Sequence, residues 1–295
     1  MSFPPDLIGQ LQLMLSYGFM VHAFEAGTLV AIVAGIVGYL VVLRRSAFAA
    51  HALAHTGFAG AAGAVLIGVS PVLGLLVLTT GSGSLMALLG PRAARRDVEI
   101  GTVLAFMLGL GLLFINLYRG AVATETYSIL FGEILGISAD GVVLTLEVFV
   151  ALLVVLFLTY RPLLFSALDE DVSEAKGLPM LGLNVVFMLL VAVAVSMAVQ
   201  VVGVLLVFAL MVTPAATAIR LSQRPATAIA IAVAIAVLAT WFGLYVAWFL
   251  PYPVSFFITT TVFVVYLGTR GATEVVRRLR PRRVPWSAAR PEASH

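Results

Sequence analysis

A chain of 295 residues that is 62% hydrophobic and only 11% charged is too apolar to be a water-soluble globular domain, because soluble domains are about 25% charged. A net charge of only +3 gives no support for nucleic-acid binding. The chain has no cysteine, which excludes disulfides, thiolate metal ligands and thiol redox chemistry. The sequence therefore predicts an all-α polytopic membrane protein, with room for roughly eight to ten segments of about 20 residues.

The basic residues set the predicted topology. Their clusters are Arg44–Arg45, Arg92–Arg96, Arg161–Lys176, Arg220–Arg224 and the residues from Arg270 onward. The positive-inside rule places each cluster in the cytoplasm, so the apolar stretch between two clusters must cross the membrane out and back. The predicted segments are 22–43, 46–69, 71–90, 98–118, 140–160, 180–199, 201–219, 226–248 and 254–269. The membrane domain, 1–295, thus has nine segments, or eight if one is short or re-entrant.

The stretches outside these segments connect or flank them. Residues 1–20 are predicted as an N-terminal interfacial segment, 119–139 as a short amphipathic cap on the outer side, and 271–295 as a basic cytoplasmic tail. Proline or a polar residue interrupts the apolar runs at three predicted outer turns. These turns are Ser70-Pro71, Gln200 and Leu250–Pro253.

Two histidines four residues apart, His51 and His55, lie inside the segment 46–69. On a helix this spacing puts both imidazoles on one face, about one turn apart, close enough to bind a single cation. Ionisable side chains at membrane depth are costly and usually mark a path for an ion or a proton. We therefore predict that His51 and His55 are metal ligands. Simple packing against a neighbouring helix is the alternative.

Other features of the membrane segments have two interpretations each. Glu147 lies several residues into the segment 140–160, where an unpaired carboxylate is costly, so it either pairs with a neighbouring segment or lines the path. Glycines 57, 60 and 63 follow the histidines and favour close helix packing over a bent pathway wall.

The acidic stretch Leu168–Pro179 interrupts the apolar pattern on the cytoplasmic side. Its Asp-Glu-Asp run at 169–171 favours a helix N-terminus, and Gly177 followed by proline ends the helix. This short helix is either a solvated connection or a docking helix for a cytoplasmic partner.

Five motifs follow one another along the chain. They are Val42–Phe48 with Ala52–His55 and Gly60, then Asp97–Gly101, Leu130–Ser138, Leu168–Pro179 and Val202–Ala218. In this order and at these separations they resemble the permease subunits of the zinc and manganese ATP-binding-cassette importers, the ABC-3 family. The resemblance extends from about Leu15 to Gly268, which is nearly the whole chain.

The resemblance implies a type II-like importer permease, embedded in the lipid of the bacterial plasma membrane. Two copies would form a homodimer around the pathway, two ATPase subunits would dock underneath, and an extracytoplasmic binding protein would deliver the metal. Residues 166–178 would form the coupling helix, with Glu170, Glu174 and Gly177 entering a cleft of the ATPase. The chain has no Gly-x-x-x-x-Gly-Lys-Ser/Thr phosphate loop. We therefore expect a transport subunit without a cofactor, not an enzyme.

One position departs from the family pattern. The family commonly has an aspartate four residues before the histidine that matches His55, and here that residue is His51. A carboxylate with an imidazole suits manganese or zinc, whereas two imidazoles favour zinc, because nitrogen ligands follow the Irving–Williams order. The sequence therefore predicts import of a divalent transition metal, with zinc preferred over manganese.

Three alternatives remain. A permease for a metal chelate, such as a siderophore or cobalamin, would share the coupling segment but would normally be longer. A secondary metal transporter would be expected to show inverted repeats, and none is clear in the hydropathy. A membrane metalloprotease would need His-Glu-x-x-His, and residues 51–55 are His-Ala-Leu-Ala-His.

Overall fold

The computed structural model describes residues 7–88, 93–117, 132 and 134–279. This part of the chain consists of helices and turns and contains no β-strand. The helices are α1 (Leu7–Leu15), α2 (Gly18–Leu43), α3 (Ala47–Leu66), α4 (Pro71–Leu88), α5 (Ala93–Leu117), α6 (Ala139–Leu168), α7 (Glu170–Ala175), α8 (Met180–Val202), α9 (Val204–Leu221), α10 (Pro225–Phe249) and α11 (Val254–Leu279). A single 3₁₀ turn, Ile134–Gly136, precedes α6. The predicted all-α class is confirmed.

Eight helices in the described residues are long and apolar enough to cross a membrane, namely α2, α4, α5, α6, α8, α9, α10 and α11. Helix α3 has 20 residues, enough to span about 30 Å. It is not among the eight, and its two histidines and its glycines lower its hydropathy. The number of spans agrees with the predicted eight or nine: it is eight without α3 and nine with it.

Helices α2 and α8 form the centre of the bundle. Helix α2 packs against α6, α8, α9 and α10, and α8 packs against α3, α4 and α6 as well. Most residues of both helices are buried, and many of these are Ala, Gly or Val. Small side chains let helix backbones approach closely. Helices in a membrane associate through such packing, because lipid tails are as apolar as the side chains and the hydrophobic effect does not drive the helices together.

The glycines after the histidines pack α3 against its neighbours. A Cβ atom added at Gly60 would lie directly against the carbonyl oxygen of Gly74 in α4. At Gly57 it would lie 2.9 Å from Thr79 Oγ1 in α4, and at Gly63 it would lie 2.8 Å from the ring of Phe114 in α5. The predicted packing role of these glycines is confirmed.

Two of the three predicted outer turns are in place. Helix α4 begins at Pro71, and α10 and α11 are separated by Leu250–Pro253. The turn predicted at Gln200 is wrong by three residues, because α8 continues to Val202 and the chain breaks at Gly203. Gly203 has φ +81° and ψ 161°, a conformation that is essentially restricted to glycine. A backbone conformation therefore ends the helix, and the polar glutamine side chain does not.

Several helices are longer than the predicted segments. Helix α6 extends through Pro162 to Leu168 instead of ending at 160, so residues 166–168 of the predicted coupling helix belong to it. Helix α11 continues to Leu279, so residues 271–279 of the predicted tail are helical. Of the predicted interfacial segment, α1 and the first turn of α2 are described. The outer cap lies largely outside the described residues, as does the tail from 280 onward.

Candidate functional site

The two histidines lie in the first half of α3. At 1.5 Å per residue, His51 and His55 are about 6 and 12 Å from the start of the helix at Ala47. That start follows Arg44–Arg45, which marks the cytoplasmic side. The ring centroids are 4.7 Å apart and the rings meet edge to face. The predicted common face is therefore present, near the cytoplasmic end of the helix.

Both imidazoles carry an unpaired buried atom. The Nδ1 atoms of His51 and His55 are buried and have no hydrogen-bond partner in the described part of the chain. Most buried polar atoms in proteins are paired, so each exception calls for an explanation. A metal ion ligated by nitrogen would provide one, since zinc binds imidazole at about 2.0–2.1 Å. No group of three or more His, Asp or Glu residues among the described residues could hold a metal. Within the described part of the chain, the histidine pair would thus offer such an ion two ligands.

The histidine face is only partly covered by this chain. The ring of His51 lies 5.0 Å from that of Phe208 in α9, with the ring planes at 71°. Phe208 is 36% exposed, and Phe48, one turn before His51, is 39% exposed. The imidazoles thus lie beside two aromatic side chains at the surface of the bundle, where a second molecule could add further ligands. Nothing in the sequence singles out Phe208, because it is one of many apolar residues in its segment.

Glu147 is not brought to the histidine pair. It is exposed on α6, which packs against α2 and α8, whereas α3 packs mainly against α4 and α5. A role for Glu147 in the pathway stays a prediction.

The acidic stretch forms the short helix α7, between α6 and α8. Asp169 caps its N-terminus, because one carboxylate oxygen accepts a hydrogen bond from the Val172 amide at 3.0 Å. The hydroxyl of the fully buried Ser173 donates to the Asp169 carbonyl at 2.6 Å. Gly177, at φ +77°, ends the helix, and its amide donates to the Glu174 carbonyl at 2.9 Å. The stretch is thus a rigid, capped turn and not a loose loop.

One side of α7 is anchored and the other is free. Ser173 faces inward, and the Lys176 ammonium lies 4.8 Å from the centre of the Phe165 ring. Glu170, Glu174 and Gly177 are exposed. The three residues predicted to contact an ATPase therefore share the accessible side of a well-anchored helix.

The sequence predicted no contacts for Arg44, which served there as a marker of topology and as part of the motif Val42–Phe48. The Arg44 guanidinium donates to Asn184 Oδ1 at 3.2 Å and to Ser166 Oγ, and it lies 4.5 Å from the centre of the Phe187 ring. The available signal was the presence of Ser166 and Asn184, two polar residues in apolar helices. Nothing in the sequence pairs them with Arg44.

Comparison with known proteins agrees with this architecture. A model of the ABC 3 transport family matches residues 16–270. The manganese transport system membrane protein MntC of Halalkalibacterium halodurans is 30% identical over 233 residues, which cover 79% of this chain and 80% of that protein. The chelated iron transport system membrane protein YfeC of Yersinia pestis is 31% identical over 286 residues, or 92% of this chain and 96% of that protein.

The fold matches a solved structure as well. PsaBC from Streptococcus pneumoniae, in complex with Fab, superposes with a TM-score of 0.79 at 25% identity. The superposition covers 89% of this chain and 95% of that chain.

Proposed function

The chain belongs to the ABC 3 transport family, and from that premise we propose that two copies of it conduct a divalent transition metal from an extracytoplasmic binding protein to the cytoplasm. As a family member it is a multi-pass permease subunit of a metal ABC importer in the bacterial inner membrane. ATP hydrolysis belongs to a separate ATPase subunit, so this chain is not an enzyme.

The observation that carries the proposal is the histidine pair. His51 and His55 present two neighbouring imidazoles at a partly exposed face of α3, and each has a buried Nδ1 that no described residue partners. Two neutral imidazoles from one chain and two from its copy would form a four-nitrogen site. Such a site would carry no permanent charge, and a transport site must hold its ion weakly enough to release it.

The nature of the ligands and the names of the relatives favour different metals. Nitrogen ligands alone favour zinc over manganese, which supports the zinc preference predicted from His51 and His55. MntC is named for manganese, and YfeC for chelated iron. We propose a first-row divalent ion as the cargo, with zinc preferred on ligand chemistry alone.

The coupling helix α7 would transmit the work of the ATPase. Its exposed side, with Glu170, Glu174 and Gly177, would fit a cleft on each ATPase subunit. Since α7 is short and capped at both ends, it would move as a unit with the ends of α6 and α8. Closing of the ATPase pair would then tilt these helices and change the side of the membrane to which the histidines are open.

Import of a metal chelate is the second candidate, because YfeC is named for chelated iron. It would need a wider pathway and would not need an unpaired imidazole pair. A secondary transporter no longer fits, since the chain belongs to a family of ABC permeases.

Uptake by the purified complex tests the proposal. The permease, reconstituted in proteoliposomes with its ATPase and binding protein, is expected to import radioactive zinc or manganese only with hydrolysable ATP. His51→Ala or His55→Ala should reduce uptake by at least about tenfold, the effect of ~1.4 kcal/mol of lost binding. His22→Ala in α2 is the control, because it removes a histidine elsewhere. Normal uptake by both α3 variants, at equal assembly, would contradict the metal role. Uptake of a metal chelate but not of the free ion would support the second candidate.

A further inference from the structure

We infer that Arg44 is a positioning residue that links the coupling helix to the histidine-bearing helix α3. This inference depends on the proposed docking of α7 to an ATPase. It assigns a transport role to a side chain at the cytoplasmic end of α2, away from the metal and from the exposed side of α7.

The first step is the position of the partners of Arg44. Ser166 lies in the last turn of α6, just before α7 begins at Glu170, and Asn184 lies in the first turns of α8, just after α7. The two guanidinium nitrogens of Arg44 therefore hold both helices that flank the coupling helix, Nη1 at Asn184 Oδ1 at 3.2 Å and Nη2 at Ser166 Oγ. A shift of α7 displaces these two helix ends, and the planar guanidinium would resist their separation.

The second step is the burial of this contact. Ser166 is 6% and Asn184 5% exposed, and Phe187, beneath the guanidinium, is 1% exposed. The Ser166 hydroxyl donates to the Leu163 carbonyl at 3.1 Å, which leaves its oxygen lone pairs to accept from Arg44. Hydrogen bonds from a charged donor are about twice as strong as neutral ones, and the low dielectric constant around buried partners strengthens them further. The junction is thus firm enough to carry a displacement.

The third step is the short link from Arg44 to α3. Only Arg44, Arg45 and Ser46 separate α2 from α3. The Arg45 amide donates to the Val42 carbonyl at 3.1 Å, and the Ser46 amide to the Val41 carbonyl at 2.9 Å. Arg45 has φ +55°, the only positive φ of a non-glycine residue in the described part of the chain. The left-handed conformation is unfavourable for a residue that has a side chain, and such a residue keeps it only where the surrounding structure imposes it. A short link that contains such a residue is therefore stiff.

These steps form one continuous connection. A movement of α7 reaches Arg44 through Ser166 and Asn184, and Arg44 passes it through Ser46 to the first turn of α3. His51 lies only five residues beyond Ser46. A chain of packed and hydrogen-bonded residues of this kind can carry energetic coupling between two sites.

The test measures ATP hydrolysis and metal uptake in the same proteoliposomes, with the full complex of permease, ATPase and binding protein. Arg44→Met should leave hydrolysis near the wild-type rate while metal imported per ATP falls at least about fivefold, the lower end of typical coupling between sites. Arg44→Lys should be intermediate, because an ammonium cannot reach both acceptors in the same fork geometry. Arg220→Met is the matched control: it removes a guanidinium that lies 5.6 Å from the Tyr266 ring centre, away from α7.

The outcomes separate coupling from simple stability. Equal loss of hydrolysis and uptake would overturn the inference, because it would indicate a structural defect, and so would unchanged metal per ATP. If Arg44→Met does not assemble, the double variant Ser166→Ala with Asn184→Ala keeps the charge and decides the question by the same ratio. If the wild-type complex itself shows no ATP-dependent uptake, the proposed function fails. If the wild-type complex imports metal normally and the Arg44 variant is equally well coupled, only the inference about Arg44 fails.

Discussion

The residue four positions before His55 decides the chemistry of the candidate site. With histidine at position 51, the candidate site offers two nitrogen donors and no permanent negative charge. A carboxylate there would add a hard oxygen ligand, which manganese accepts more readily than a second imidazole. The identity of one side chain therefore carries the expected metal preference.

His51→Asp tests that idea directly. The variant replaces one nitrogen ligand by an oxygen ligand of similar reach, and we expect manganese uptake to rise relative to zinc uptake by about tenfold, a difference of ~1.4 kcal/mol. Competition between zinc and manganese at defined free concentrations would measure the ratio, with His22→Asp as the control. An unchanged ratio would mean that His51 does not contact the passing ion.

At the scale of elements, α3 is held by close contact between backbones. Gly60 in α3 and Gly74 in α4 are in direct contact. The backbone of each helix occupies the space that a side chain at the other glycine would need. This close crossing fixes the rotation of α3 about its axis, and with it the direction in which the imidazoles point. In a membrane, small residues are the usual means of such packing.

Gly60→Ala should therefore destabilise the bundle. Its methyl group would lie against the Gly74 carbonyl, and overpacking of this kind costs about 1–3 kcal/mol. Thermal unfolding in detergent would measure the loss as a lower Tm. Gly81→Ala in α4 is the matched control, because a Cβ there meets nothing within 4 Å. An equal Tm for both variants would show that the crossing is not tight.

At the scale of the whole molecule, we assign the two candidate functional regions to different partners. The histidine face of α3 offers two imidazoles, with no third potential metal ligand grouped with them among the residues that the structure describes, and the anchored helix α7 exposes an acidic side at the cytoplasmic end. A second permease copy suits the first surface and an ATPase suits the second. Arg44 lies between them and contacts the helices on both sides of α7.

Charge reversal on α7 should separate assembly from folding. Glu170→Arg with Glu174→Arg changes only exposed side chains, so we expect a stable membrane protein that no longer retains the ATPase. Co-purification from detergent would detect the loss, and we expect at least about tenfold less ATPase per permease, equivalent to ~1.4 kcal/mol. Glu25→Arg, at the opposite end of the bundle, should retain the ATPase. Normal retention by the α7 variant would exclude this side as the docking surface.

The number of membrane segments, their approximate bounds and the common face of His51 and His55 could all be predicted from the sequence. Hydropathy, arginine clusters and a spacing of four are local patterns, and local physics decides them: lipid requires apolar helices, and 3.6 residues per turn aligns side chains. The end of α8 was missed, because Gln200 is tolerated within a helix and only the backbone of Gly203 ends it.

Only the tertiary structure decided which side chains meet. Arg44 contacts Ser166 and Asn184, which are 122 and 140 residues away in the chain, and Phe208 comes to lie beside His51. In an apolar sequence many helix faces are equally suited to packing, so hydropathy cannot choose among them. The fit of small residues, such as Gly60 against Gly74, selects one arrangement, and that arrangement places the polar groups.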